Sequence, residues 1–291
     1  MLHRIENQYL SCEITSNGAE IRSLKNKLTG KEYIWQIDEE VWGSSSPVLF
    51  PAIGKIKSGE IHYQGRSYAM PKHGIIRNNA DLIFTKIKNN KCAFKLESSD
   101  KTLLQFPFQF TFEVIYELID NRLVMTYNIQ NNDKVELPFI CGGHTAYACP
   151  LDEKTKLSDY VIEFPDHTNL KAGTLGESGL LSDKVREIIL HQSCLSLSES
   201  IFGEDALIFE GVNFDWVRLR KKDDEKGVKI IFKDYPNLAL WSKPGADYVC
   251  IEPWLGLPDR ENESIDITEK STYKKISPKD SFAISIITVL E

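Results

Sequence analysis

No Cys-x-x-Cys pair occurs in this chain, and its six cysteines, Cys12, Cys92, Cys141, Cys149, Cys194 and Cys250, are scattered, mostly inside apolar runs. That distribution points to buried free thiols and gives no support to a disulfide frame or a cysteine-ligated zinc site. No stretch approaches the ~18 apolar residues of a membrane-spanning helix, and the first residues, Met1-Leu2-His3-Arg4-Ile5-Glu6-Asn7, lack the apolar segment of a secretory leader. A cytoplasmic protein without membrane contact is expected. Positive charge is also short: the net charge of −7 argues against nucleic acid as a partner, because phosphate backbones are held by clustered Lys and Arg. The Gly-x-Ser-x-Gly elbow of serine hydrolases is missing, as are glycine-rich phosphate-cradling loops, fixed-period repeats, low-complexity tracts and Pro/Gly/Ser-rich linkers.

What the chain does have is period-two alternation broken by turn signals, the mark of antiparallel sheet. Hairpins are expected for Tyr9 to Thr15 with Glu20 to Leu24 around Asn17-Gly18, Glu60 to Tyr63 with Arg66 to Ala69, Leu82 to Lys88 with Cys92 to Glu97, and Phe108 to Leu118 with Arg122 to Gln130. Trp216 to Arg220, Val228 to Phe232, Leu238 to Trp241, Tyr248 to Glu252 and Ser281 to Leu290 read as further strands. Short helical pieces are expected at Lys101 to Leu104 behind Ser99-Asp100, at Asp183 to Leu190 and at Ser198 to Phe202. With no run of crossover helices, parallel βαβ architecture is excluded; one large, mostly antiparallel all-β sandwich over residues 1–291 is the expected fold. Its strand edges leave a homodimer open.

Two strand-like stretches run straight into chemistry. Leu137 to Tyr147 delivers His144 just after Gly142-Gly143, and Tyr248 to Gly256 delivers Glu252 ahead of Pro253-Trp254. A histidine titrates near neutrality and a carboxylate accepts protons, so the two suit an acid and a base facing each other across a cleft. Further candidates are His73 between Lys72 and Gly74, Lys55 in the Pro- and Gly-rich loop from Trp42, Asp205 ahead of a short apolar strand, and Trp241 and Trp254 as sugar platforms. Each has a plainer reading when taken singly: a hydrogen-bonded histidine, a solvated lysine, a turn aspartate, a core tryptophan. His73, His144, Asp205 and Glu252 as a metal set lack the close helical spacing of zinc enzymes.

Together, Phe50-Pro51-Ala52-Ile53-Gly54-Lys55, His73-Gly74, Gly142-Gly143-His144 and Ile251-Glu252-Pro253-Trp254 resemble, in order and separation, the motifs of the aldose 1-epimerase (galactose mutarotase) family, in particular a LacX-like branch. The resemblance spans nearly the whole chain. It implies a β-sandwich with a sugar in an open cleft and no cofactor or metal. It implies further that Glu252 is the base taking the C1 hydroxyl proton and His144 the acid protonating the ring oxygen, held protonated by a nearby carboxylate. His73, Asp205, Lys55 and Trp254 would then hold a small-molecule sugar such as galactose or glucose. Many members of the family carry arginine where this chain has Lys55, which leaves open a silent carbohydrate-binding protein, and Glu204 rivals Asp205 as the ligand acid. A related group acts on hexose 6-phosphates, but no basic cluster near these motifs marks a phosphate pocket in the sequence.

Overall fold

The longest hairpin shows how the alternating sequence builds the scaffold. Phe110–Ile119 pairs with Arg122–Asn131, Phe112 opposite Ile129 and Tyr116 opposite Met125. Every second residue, Phe110, Phe112, Val114, Tyr116 and Leu118, is buried, which stabilises the sheet by roughly 1.5–3 kcal/mol per large apolar side chain. In the computed structural model, which describes residues 1–291 apart from residues 153 and 167, this hairpin lies inside a nine-stranded sheet. Ser281–Leu290, Gly227–Ile231, Trp216–Lys221, Tyr160–Glu163 and Cys194–Ser196 follow on one side of it, Lys91–Glu97 and Ile83–Lys88 on the other.

A second sheet runs in the order Leu181–Ile189, Asn169–Leu175, Leu207–Phe209, Asn237–Trp241, Tyr248–Trp254, Gly142–Gly143 and Val48–Leu49, with Thr145–Ala148 also on Tyr248–Trp254. The pairs between these named strands are antiparallel, as expected. The two sheets face each other across one apolar core: Tyr127 donates its hydroxyl to the Gly142 carbonyl at 3.1 Å, and the Tyr147 and Thr288 hydroxyls meet at 2.6 Å. Strand makes up 48% of the chain and helix 5%, so the all-β sandwich expectation holds.

The hairpins read from the sequence form with their boundaries moved by one or two residues. Asp100–Leu103 is helical behind Ser99, whose hydroxyl accepts from the Thr102 amide while Thr102 Oγ1 accepts from the Ser99 amide, a reciprocal cap. The segment at Ser198 to Phe202 contains only a short 3-10 turn, Glu199–Phe202. The expected helix at Asp183 to Leu190 is a correction. Those residues lie in Leu181–Ile189, the edge strand of the second sheet, paired to Asn169–Leu175. Its spaced charges mimic a helix face, but they serve to keep an exposed sheet edge solvated.

Candidate active site

Tyr248–Trp254 is the strand on which the site is built. All seven residues are buried, and it is hydrogen-bonded on both flanks. Its alternation sends Val249 and Ile251 into the main core; Tyr248 and Cys250 join a small cluster with Ala146, Trp35, Trp42 and Trp241 on the outer face. Glu252 shares that outer face by period.

Pairing with the neighbouring chain places Gly142 opposite Trp254 and Thr145 opposite Ile251; carried across the gap, the same register sets His144 opposite Glu252. Pro253 has no N–H to give, and the ladder lapses beside it. The His144 amide bonds instead to the Pro47 carbonyl at 3.1 Å. Gly143 allows the close approach of the two sheets, since a Cβ there would meet Ile286 Cδ1 at 2.9 Å. Its neighbour His144 consequently points away from the core, stacked on Trp42 at 5.2 Å and edge-on to Trp241 at 5.9 Å.

Here the expected geometry needs correcting. His144 and Glu252 do not face each other across a cleft; they are side by side on one sheet face, with Nδ1 3.4 Å from Oε1. Glu252 is 2% exposed and His144 9%. Burial pushes the Glu252 carboxyl well above the usual carboxylate range, against the pull of Lys72 and Arg77; Asp205 adds to the rise. The Trp254 indole N–H favours the carboxylate without reaching the geometry of a full hydrogen bond. Burial, followed by Arg77 and Lys72, lowers His144 to about 3. These shifts run against the expectation that a carboxylate holds this histidine protonated, because desolvation is the largest influence on both groups.

His73 is brought in by a different device. His73 and Gly74 have φ of +71° and +82°, a tight reversal closed by the Gly74 amide on the Pro71 carbonyl at 2.9 Å. The Ile75 amide then bonds to the Phe50 carbonyl at 2.8 Å, which ties the turn to the loop of residues 50–55. His73 Nδ1 accepts from the Gly54 amide at 3.1 Å, so in the neutral ring the proton sits on Nε2. Burial holds this imidazole well below its ordinary pKa, with His144, Lys72 and Arg77 adding to the effect. Its ring lies 5.4 Å from that of His144.

These groups open into a pocket of about 190 Å³ lined by Trp42, Lys72, His73, Arg77, His144, Asp205, Trp241, Glu252 and Trp254, among others. Five of the six residues expected in the site therefore converge: Glu252, His144, His73, Asp205 and Trp254. Asp205, at φ +77° with Oδ1 accepting from the Ala206 amide at 2.7 Å, lies in the wall, whereas Glu204 does not. Lys55 is the exception. Its ammonium donates to the Ser178 carbonyl at 2.9 Å, outside the lining, because Gly54 turns the chain at φ +66° just before it. The cations that do line the pocket, Lys72 and Arg77, were not among the expected site residues, although both flank the His73-Gly74 motif.

Among the described residues, the metal-ligating atoms gathered most closely here belong to His144, Cys250 and Glu252, all within 4.8 Å of one another. The Cys250 thiol is fully buried, and burial raises its pKa well above the ordinary value. As arranged, a carboxyl, two imidazoles and three indoles meet at one pocket, groups able to exchange protons with, and to pack against, a small polar molecule.

A family model described as Aldose 1-epimerase matches residues 1–262 of the chain. The chromosomal protein LacX of Lactococcus lactis subsp. lactis is 30% identical over 300 residues, spanning 100% of this chain and 100% of that protein. Among solved structures, a galactose mutarotase related enzyme from Lactobacillus acidophilus has a TM-score of 0.93 at 30% identity, covering 100% of this chain and 97% of that one. A galactose mutarotase-like protein from Lactobacillus casei ATCC 334 has a TM-score of 0.91 at 26% identity, with 100% of each chain covered.

Proposed function

This chain belongs to the aldose 1-epimerase family, and from that premise we propose that it is a mutarotase, interconverting the α and β anomers of a hexose through Glu252 as base and His144 as acid. The observation that carries the reading is the 3.4 Å contact between His144 Nδ1 and Glu252 Oε1 in the wall of an indole-lined pocket. Mutarotation takes a proton from the hydroxyl on C1 and gives one to the ring oxygen, and both oxygens are bonded to the same carbon. An acid and a base side by side match that demand better than a pair separated by the width of the sugar.

Proton bookkeeping also favours the pair. Burial disfavours both charged forms, so the proton the two groups share rests on the carboxyl, with His144 neutral. Passing it to His144 creates the reactive form: Glu252 carboxylate takes the C1 hydroxyl proton, imidazolium protonates the ring oxygen, and the C1–ring oxygen bond breaks to the open aldehyde. The neutral pair is regenerated in the same step. After rotation about C1–C2, reclosure runs the transfers backwards on the other face and yields the opposite anomer. One proton stays on the pair over the full cycle.

His73, with Nε2–H as donor, and Asp205, as acceptor, hold sugar oxygens in this scheme, and Trp42, Trp241 and Trp254 supply apolar faces for the ring C–H groups. Lys55, with its ammonium on the Ser178 carbonyl and outside the lining, holds no sugar oxygen in this scheme. Polarimetry on freshly dissolved α-galactose and α-glucose tests the reading. Faster decay than the spontaneous rate, abolished in Glu252→Gln, is expected; an unaccelerated rate with both these sugars and their phosphorylated and uronate forms would reject it.

A further inference from the structure

Among the described residues, four that line the pocket carry a buried side-chain atom without a hydrogen-bond partner: Arg77 Nε, His144 Nδ1, Glu252 Oε2 and Trp254 Nε1. The last two are complementary. Glu252 and Trp254 are two residues apart on Tyr248–Trp254, so their side chains leave the same face of the strand, and one offers an acceptor where the other offers a donor. Their exposures are only 2% and 4%, so bulk water does not satisfy either group. A polar atom left bare in such a place costs stability, and here a bare donor and a bare acceptor are neighbours.

The indole is held from both flanks. On one side Asn237, in register with Trp254, donates its side-chain amide to the Trp254 carbonyl at 3.3 Å and the Gly256 carbonyl at 3.2 Å, and its Oδ1 accepts the Gly211 amide at 3.2 Å. On the other side the register partner is Gly142, where a Cβ would meet Trp254 Cδ1 at 2.8 Å. Cδ1 is bonded to Nε1, so the glycine lets the N–H edge of the ring settle against the neighbouring chain. That edge draws Glu252 toward the carboxylate, yet it closes no full hydrogen bond on it.

We infer that Trp254 is a positioning residue for the base: its indole N–H is held unspent beside Glu252 and closes a hydrogen bond on the carboxylate once the proton has passed to His144. The inference rests on the mutarotase reading of the same pocket. A donor aimed at charge that exists only in the reactive form favours that form over the resting one, and so raises kcat without tightening sugar binding. A carboxylate oxygen has two lone pairs, so the indole leaves one for the C1 hydroxyl. The face of the ring stays free to pack on the sugar. Burial, the largest influence on the carboxyl, opposes its ionisation; Lys72, the indole and Arg77 favour it, and Asp205 opposes it. His144, the Cys250 thiol and the Tyr248 phenol are the neutral titratable groups alongside.

Trp254→Phe removes the N–H and keeps an aromatic face, and benzothienylalanine placed at position 254 by nonsense suppression exchanges the N–H for sulfur at almost the same shape. Both should lower kcat for anomer exchange by about tenfold, the scale of one hydrogen bond to a charged group, with KM held within about twofold. The infrared carboxyl band that disappears in Glu252→Gln reports the base directly. Its titration should move upward by about one pH unit in both proteins, since losing a donor to the carboxylate favours the protonated form. An unmoved titration, a rise in KM with kcat intact, or a loss in Trp254→Phe that the sulfur isostere restores would assign the indole to packing alone and overturn the inference. If no sugar is turned over, the mutarotase reading fails separately, and the infrared titration still decides whether the indole serves Glu252: an upward shift upholds the contact, and no shift rejects it.

Discussion

His144 and Glu252 stand in register on adjacent antiparallel chains, 3.4 Å apart, in the wall of a pocket and buried from bulk water. Directly opposed residues on one sheet face have Cβ atoms about 4.5–5.5 Å apart, so an imidazole and a carboxyl come into contact here without any loop having to bring them together, although His144 Nδ1 makes no full hydrogen bond. The sheet itself sets the geometry. In the proposed reaction that rigidity would keep reorganisation on substrate binding small.

Glu252→Gln should lower catalysed anomer exchange by about 10²- to 10⁴-fold. Because burial disfavours the charged form of this carboxyl, a neutral amide of nearly the same shape is tolerated there, and the melting temperature should move little. His144→Gln should produce a loss of similar size, and the double variant should lose little more than either single one, as expected of two groups that act on one proton. Losses that multiply would show that the two work independently. Polarimetry paired with thermal melts gives the measurement.

The long strands were legible because one of their faces is apolar and the other wet; Phe110 to Leu118 and Ser281 to Leu290 announce themselves by alternation alone. Between residues 155 and 200 that signal fails. Asn169–Leu175 and Leu181–Ile189 are strands with few inward positions; Leu181–Ile189 is the sheet edge with one flank in water, and Asn169–Leu175 lies next to it. The motifs around His73, His144 and Glu252 named side chains that meet in one pocket, but not their electrostatics. A pKa depends on how deep a group lies and on which charges approach through space, and Lys72 and Arg77 come close to His144 only once the turn at His73-Gly74 has formed. Lys55 lies outside the lining for the complementary reason: proximity in a motif does not fix which way a side chain leaves the backbone.

Gly74→Ala tests the turn that delivers His73. At φ +82° a side chain is strained, and its Cβ would run into the Phe50 carbonyl oxygen. The left-handed conformation alone costs about 1–3 kcal/mol, and the clash adds to it. Because the Phe50 carbonyl is the acceptor that anchors the turn through the Ile75 amide, the substitution should displace His73 and lower both the melting temperature and kcat/KM. A variant with unchanged melting and activity would show that the turn relaxes freely.

Lys270 and Asp259 form a pair at 2.5 Å with side chains 1% and 2% exposed, next to Pro258 in the pocket wall. Asp259 also accepts the Lys57 amide at 3.0 Å, and the Lys270 ammonium bonds to the Ser264 carbonyl at 2.9 Å, so the two loops are pinned at one point. Lys270→Met strands a buried carboxylate and should destabilise the fold by about 3–5 kcal/mol. The double substitution Lys270→Met with Asp259→Leu should recover part of the loss, as chemical denaturation would reveal.

The pH profile separates a shared-proton pair from a conventional histidine acid. A free-standing imidazolium acid would lose activity as pH rises through about 6.5. The pair needs one proton in total, so its lower limit is the uptake of a second proton by His144, at about 3, and its upper limit is loss of the proton from Glu252, whose pKa is raised. The rate should therefore form a plateau through neutrality and well into acid. Stability bounds the acid side. His73 and His144 both have folded pKa values below the unfolded ~6.5, so beneath that pH the unfolded chain binds protons the native protein refuses, and stability falls by about 1.4 kcal/mol per pH unit for each histidine, partly offset, down to the unfolded carboxyl pKa of ~4.3, by the proton that Glu252 keeps in the folded state. The fall continues until pH passes the folded values. Measuring kcat/KM and ellipticity side by side from about pH 4 upward distinguishes the cases. A plateau that ends only where the ellipticity does supports the pair, whereas activity that declines above pH ~6.5 in a fully folded protein would assign the acid to an ordinary imidazolium.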